Sequence, residues 1–317
     1  MVETIPPGGT YVADAGRRPG VGYACLVAAA VLFAINGTVS KVILDTGVSS
    51  LRLTELRCAG ALAGLAVLLL LIAPERLRVS RRELPLLAAF GIAGVAATQW
   101  FYFVAIARMP VGIALLLEYT APVLVALWAR FVMHEHVRNR MWVALALALA
   151  GLALVAQVWN GGTLDGLGVA AAFAAAIALA TYYLLGEHST TSRDPLSTTF
   201  WSFVFATALW TLLLPWWSFP GSAFTGSTSL LGNAADVSVP MWALAAWMIV
   251  LGTIVPFALV LTGLRHLPAT RVGTVGMLEP VIASAVAWVW LGEVLGTVQL
   301  AGGLVVLTGI LLAQTAR

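Results

Sequence analysis

The chain has 317 residues, 61% of them apolar and only 10% charged, with a net charge of +3. Soluble domains carry roughly 45–50% apolar and about 25% charged residues, so this composition could not clothe a surface facing water. A soluble fold is excluded, and a chain dissolved in lipid is the class that remains.

Residues 1–20 (MVETIPPGGTYVADAGRRPG) are rich in Pro and Gly, carry both signs of charge and lack an apolar core. They read as a short cytoplasmic tail rather than a cleavable signal. Ten apolar runs follow, at about 21–44, 51–72, 84–106, 112–131, 140–158, 166–186, 197–217, 240–263, 270–291 and 296–315. Each is close to the ~20 residues that cross about 30 Å of hydrocarbon. Stretches such as Val143–Val158 lack the polar/apolar alternation of barrel strands, so the fold expected is all-α and membrane-integral. Short turns make neighbouring spans antiparallel hairpins. The longer connection from Ser218 to Val239, rich in Gly, Ser and Thr, is expected to be a mobile surface loop. Cys25 and Cys58 fall inside spans and read as packing residues, without a disulfide or metal site.

With the N-terminus in the cytoplasm, Lys41, Arg52, Arg57 and Arg108 fall on the outer side, and the other thirteen of the 17 basic residues fall inside. This bias places both termini in the cytoplasm.

The last three spans of each half match without gaps at an offset of 158. Pro110 falls on Pro268, Pro122 on Pro280, Glu135 on Glu293 and Gly151 on Gly309. The first two spans match at a smaller offset. Five spans per half is an odd number, so the second half runs the opposite way through the bilayer. The basic turn with Arg130, Arg138 and Arg140 agrees, since its partner LGEVLGTVQ has no Lys or Arg. Inverted repeats of this kind mark transporters whose substrate binds where the repeats meet.

The segments LFAINGTVSKVIL and LRLTELR, the LEYTAP block between two prolines, and LRHLPATRVGTVGMLEPVIASAVAWVWLGE carry a specific resemblance. The chain resembles the drug/metabolite transporter superfamily in its EamA-domain branch, with two such domains at 21–158 and 166–315. The second-half block is similar to the pattern of bacterial threonine/homoserine and aromatic amino-acid exporters. The resemblance implies ten helices, both termini inside and efflux of small solutes, in a bacterial cytoplasmic membrane. One departure is Phe33-Ala34, where the family's first helix usually carries an aromatic-Gly pair.

Ionisable and polar groups in hydrocarbon are functional candidates because they are costly there. Glu279 lies about 13 Å into its helix at 1.5 Å per residue and is the leading proton carrier or ammonium ligand. Glu118 and Arg57 reach a similar depth from the outer side and are expected to pair, as an outer gate or carboxylate site. Asn36 and the run Gln99-Trp100-Phe101-Tyr102-Phe103, with Gln99 and Tyr102 on one face, are candidate cavity linings. Lys41 lies within a turn of the outer surface, where it snorkels. Pro122, Pro256 and Pro280 each free the carbonyl four residues earlier, those of Glu118, Gly252 and Gly276. Gly60 and Gly64 form a GxxxG packing step.

His134, Glu135 and His136 read as helix-end capping rather than metal ligation. No Walker loop occurs, and no cofactor or nucleic-acid partner is expected. The partners expected are a small-molecule substrate, the lipid bilayer and protons. The function expected is secondary transport by alternating access, exporting amino acids or related metabolites, coupled to protons or to exchange. Multidrug or nucleoside efflux, a passive channel and a membrane-embedded lipid-modifying enzyme are the alternatives.

Overall fold

The computed structural model describes residues 18–106, 108, 111–159, 165–292 and 296–315. The tail through Arg17, together with Pro110, Glu293 and Arg317, lies outside the described residues. The protein is helical almost throughout. The helices are α1 (Pro19–Asp45), α2 (Ser50–Ile72), α3 (Leu84–Ala89 continuing to Ala97–Ile106) and α4 (Val111–Glu118 and Ala121–Phe131). They continue as α5 (Asn139–Val155), α6 (Gly166–Ser192), α7 (Pro195–Leu213) and α8 (Met241–Ile249 continuing to Val255–His266). Last come α9 (Ala269–Gly276 and Leu278–Val286, with a terminal π turn) and α10 (Thr297–Gln314). Eight of them are long and apolar enough to cross a membrane; α5 and α10 are apolar but shorter.

Local chemistry sets the ends. Ser49, Asp165 and Asp194 each accept a backbone N–H from the first turn of α2, α6 and α7, satisfying donors that would otherwise be orphaned. Gly186 does not stop α6, which runs six residues past the expected end. Its missing side chain instead admits Leu264 and Leu261 of α8, whose atoms would lie 2.8 and 3.1 Å from a Cβ there.

Two irregularities recur 158 residues apart. A π-helical turn spans Phe90–Ala96 in α3 and Val250–Ile254 in α8. The helical run breaks at Tyr119–Thr120 in α4 and at Met277 in α9. Each break lies on the N-terminal side of a proline, Pro122 or Pro280, whose ring clashes with the carbonyl of the preceding turn.

The closest helix pair is α5 with α10. A Cβ on Gly151 would lie 2.6 Å from the Val306 nitrogen and 2.7 Å from the Gly302 carbonyl. One on Gly309 would lie 2.7 Å from the Ala144 carbonyl and 2.8 Å from the Ala148 nitrogen. The offset of 158 exchanges the two sets: Gly151 becomes Gly309, while Gly302 and Val306 become Ala144 and Ala148. A similar exchange relates α8 against α1 to α3 against α6. Gly252 receives Asn36, while Gly94 receives Tyr182.

The connection between α7 and α8 is not the loose loop expected. It folds through short 3₁₀ turns and an antiparallel pair, β1 (Ser227–Ser229) with β2 (Ser238–Pro240). Phe224, Leu230, Leu231 and Val239 pack with the C-terminal half of α1 and the N-terminal half of α8. Trp290 donates its indole N–H to the Leu230 carbonyl, and Asn233 donates to the Val289 carbonyl. Composition concealed this order because backbone pairing and a few apolar contacts create it.

Contacts between connections sort into two sets. At one end Arg193 binds Glu83 at 3.0 Å and the carbonyls of Arg76 and Arg78, while Glu187 accepts the Ala269 N–H. At the other, Arg52 reaches Glu55 at 2.6 Å and the Pro215 carbonyl, and Arg108 lies 3.8 Å from Asp165.

The Ser80 backbone N–H, and then the Arg193 guanidinium, hold the Glu83 carboxyl down at about 2. Its ordinary value is about 4.3. The contact therefore stabilises the fold fully above about pH 4.3 and is lost as pH falls toward 2. Because Glu83 is one-third exposed, solvent screening reduces the contribution to about 1 kcal/mol. Arg193→Ala is expected to melt about 2 °C lower than the parent at pH 7, with the gap narrowing below pH 4. Thermal melts in detergent across this range check it.

Candidate functional site

Arg57, Tyr102 and Glu279 sit well inside the bundle yet remain partly accessible. Both halves contribute to the cluster around them: Arg57 from α2, Tyr102 from α3, Glu118 and Tyr119 from α4, Tyr183 from α6, Thr253 from α8 and Glu279 from α9. The two helix breaks build the acidic side. Glu118 is the last residue before the break in α4, and Glu279 follows the break in α9 by two residues. The carboxyls lie close enough for their charges to interact. Tyr119 donates its hydroxyl to Glu279 Oε2 at 2.8 Å.

On the basic side, Arg57 donates Nε–H to Thr253 Oγ1 at 3.3 Å. Thr253 in turn donates to the Met248 carbonyl, five residues back, at 2.9 Å. The π turn of α8 thus places this hydroxyl beneath the guanidinium. Of the two carboxyls, the one whose charge acts on Arg57 is that of Glu279. The expected Arg57–Glu118 pair is not formed; Glu118 lies beside Glu279 instead. Both residues reach similar depths, but depth does not reveal which helices are neighbours.

Asn36 is 5% exposed, its Oδ1 lacks a hydrogen-bond partner, and it rests on Gly252 next to Thr253. Gln99 faces the Cys58 thiol, and neither of its amide atoms makes a hydrogen bond. Lys41 is exposed near the end of α1 and is not among the charges acting on Glu118 or Glu279. Pro122 packs on Gly273 of α9, and Pro256 lies in the first turn of the second part of α8. Pro280 is buried, and its carbonyl accepts from Ser284. Gly60 and Gly64 receive Ile249 and Ile254 of α8.

Sequence reasoning missed Tyr119, Tyr183 and Thr253. Tyr119 is inside the LEYTAP block, adjacent to Glu118. Tyr182 and Tyr183 interrupt a helix otherwise composed largely of alanine and leucine. Buried Glu55, bound to Arg52, was also missed. A separate groove of about 900 Å³ lies between α4 and α6, lined by Leu124, Trp128, Phe131, Leu184, Glu187 and His188. Among the described residues no group of three His, Cys, Asp or Glu side chains is placed to hold a metal.

The arrangement offers a guanidinium for an anionic group and two carboxyls for a cationic group or a proton. Tyrosine rings line the space between them.

Comparison with known proteins agrees with a transport role. An uncharacterized transporter from Archaeoglobus fulgidus is 30% identical over 295 residues, spanning 92% of this chain and 96% of the relative. The threonine/homoserine exporter RhtA of Escherichia coli K12 is 28% identical over 256 residues, 80% of this chain and 76% of that protein. A solved crystal structure superposes with a TM-score of 0.73 at 18% identity, over 93% of this chain and 96% of that one, a likeness of fold alone. The model of the EamA-like transporter family matches twice, at residues 20–157 and 166–315. The chain is a multi-pass, all-α membrane protein and belongs to the EamA-like transporter family.

Proposed function

We propose that the protein is a secondary transporter exporting amino acids or closely related metabolites across a bacterial cytoplasmic membrane. In this reading all ten helices cross the bilayer, with both termini in the cytoplasm. Residues 21–158 and 166–315 are two inverted repeats that rock about the central cavity. The observation that carries the reading is the Tyr119–Glu279–Arg57–Thr253 constellation, to which both halves contribute. A zwitterion fits it, with its carboxylate at Arg57 and its ammonium between Glu118 and Glu279. The same carboxyls serve protons when no ammonium is present, which allows proton coupling or exchange. The likeness to a threonine/homoserine exporter supports amino acids as the substrate class.

The test is flux of labelled threonine into proteoliposomes loaded with unlabelled threonine, with and without a pH gradient. Saturable counterflow is the expected result. Non-saturating flux that ignores internal substrate would replace the carrier with a channel. Absence of flux for every amino acid would remove this substrate class.

A further inference from the structure

The contacts that close the cavity on one side have unformed equivalents on the other. Helices α3–α5 correspond to α8–α10 at the offset of 158. Helix α1 corresponds to α6 at 146, because Gly20-x-Gly22 then falls on Gly166-x-Gly168. The contact of Asn36 with Gly252 likewise falls on that of Tyr182 with Gly94.

On the cytoplasmic side, Tyr183 of α6 covers two glycines of α9. Its ring carbon would lie 3.4 Å from a Cβ on Gly273, and its hydroxyl 2.9 Å from one on Gly276. Pro122 of α4 packs on the same Gly273, and Gly186 of α6 fits beneath Leu264 of α8. Together these close the bundle below the carboxyls.

The equivalents of Tyr183, Gly273 and Gly276 are Gly37, Leu115 and Glu118. Large and small have changed places: the first helix of the half now supplies the glycine, and the fourth supplies the bulk. Gly37 is exposed, with no atom of the described residues within 4 Å of where its Cβ would be. Among the described residues, α1 has no substantial packing with α3, nor has Val111–Glu118 with the C-terminal part of α9. The bundle is therefore less tightly closed on this side than on the other.

We infer that Gly37 is the socket of the outer gate, receiving Leu115 and Glu118 when the cavity closes outward and opens to the cytoplasm. The inference rests on the two-repeat, alternating-access reading above. A glycine is required because the arriving partner supplies the volume, as Tyr183 does on the opposite side. Interfaces between membrane helices use small residues in this way to allow close approach. Glu118 then has a second role: its turn forms part of the closing surface, so occupancy of the site and closure of the gate meet at one residue.

Two variants test the socket, with wild-type counterflow as the reference and Gly37→Ala as a size control. Gly37→Leu fills space that is empty in the outward-open state, so yield and melting temperature are expected to stay at parental values. Counterflow is expected to fall at least about tenfold, and Gly37→Ala is expected to lose far less. The second variant carries Gly37→Cys and Leu115→Cys with Cys25→Ala and Cys58→Ala. Mild oxidant is expected to cross-link it during exchange and stop exchange until reductant is added, since a disulfide needs Cα atoms within about 7 Å. Full exchange by Gly37→Leu, or continued exchange by the double-cysteine protein without cross-linking, overturns the socket and leaves the carrier standing. A wild type that exchanges no solute removes both.

Discussion

Glu279→Gln is expected to lower counterflow by on the order of 100-fold while leaving the protein folded. The substitution keeps the shape of the side chain and its ability to accept from Tyr119. It removes the negative charge that faces Arg57 and lies beside Glu118. Hydrogen bonds to a charged group are roughly twice as strong as neutral ones, and a lost charge partner in hydrocarbon has few replacements. Tyr119→Phe removes only one hydrogen bond, about 1 kcal/mol, and is expected to cost roughly fivefold. Rates measured at saturating internal substrate with equal reconstituted protein check both. Activity of Glu279→Gln within threefold of the parent would remove the carboxylate from the transport path, whatever the substrate. If counterflow falls but simple binding of threonine survives, Glu279 serves coupling rather than recognition.

The second large effect is structural. Gly151→Leu forces a side chain into the seam between α5 and α10, where the nearest atoms belong to the backbone of Gly302 and Val306. Overpacking a core ordinarily costs about 1–3 kcal/mol. Here no flexible side chain can yield, so about 3 kcal/mol or more is expected, together with loss of monodisperse protein in detergent. Gly20→Leu provides the control, since nothing among the described residues lies within 4 Å of its Cβ position. Size-exclusion profiles and melting temperatures of the two variants read the difference. A Gly151→Leu protein that melts with the parent would mean that α5 and α10 are not in direct backbone contact.

The helices were legible because hydrocarbon requires about 20 apolar residues in succession, and composition reports that directly. The repeat was legible in Pro122/Pro280 and Gly151/Gly309, since prolines and close-packed glycines are fixed by backbone geometry. Side-chain partnership was harder to read. Nothing in a run of apolar residues says that α2 faces α8, so Arg57 was matched with Glu118 instead of Thr253 and Glu279. Tyr119 and Tyr183 went unnoticed because an aromatic ring in a membrane helix carries the same signature at an interface, in a core or beside a cavity. The α7–α8 connection misled for another reason. Its Gly, Ser and Thr content suits mobility, but its order comes from Trp290, Asn233 and the β1–β2 pairing, which join segments distant in sequence.

Helix α7 also fixes how the protein rides in its bilayer. Its 19 residues span about 28 Å at 1.5 Å per residue, close to one hydrocarbon thickness of about 30 Å. Trp217, 91% exposed just beyond its C-terminal end, suits the headgroup level, where indole rings accumulate. Its other end begins beside the Arg193–Glu83 ion pair, which belongs in water. With both ends marked in this way, α7 has little spare length to take up by tilting. Thicker lipid must thin around it or expose polar groups to acyl chains, at a cost of fractions of a kcal/mol per Å. A change in acyl-chain length is therefore expected to strain this helix from its ends, far from the Arg57–Glu279 cluster.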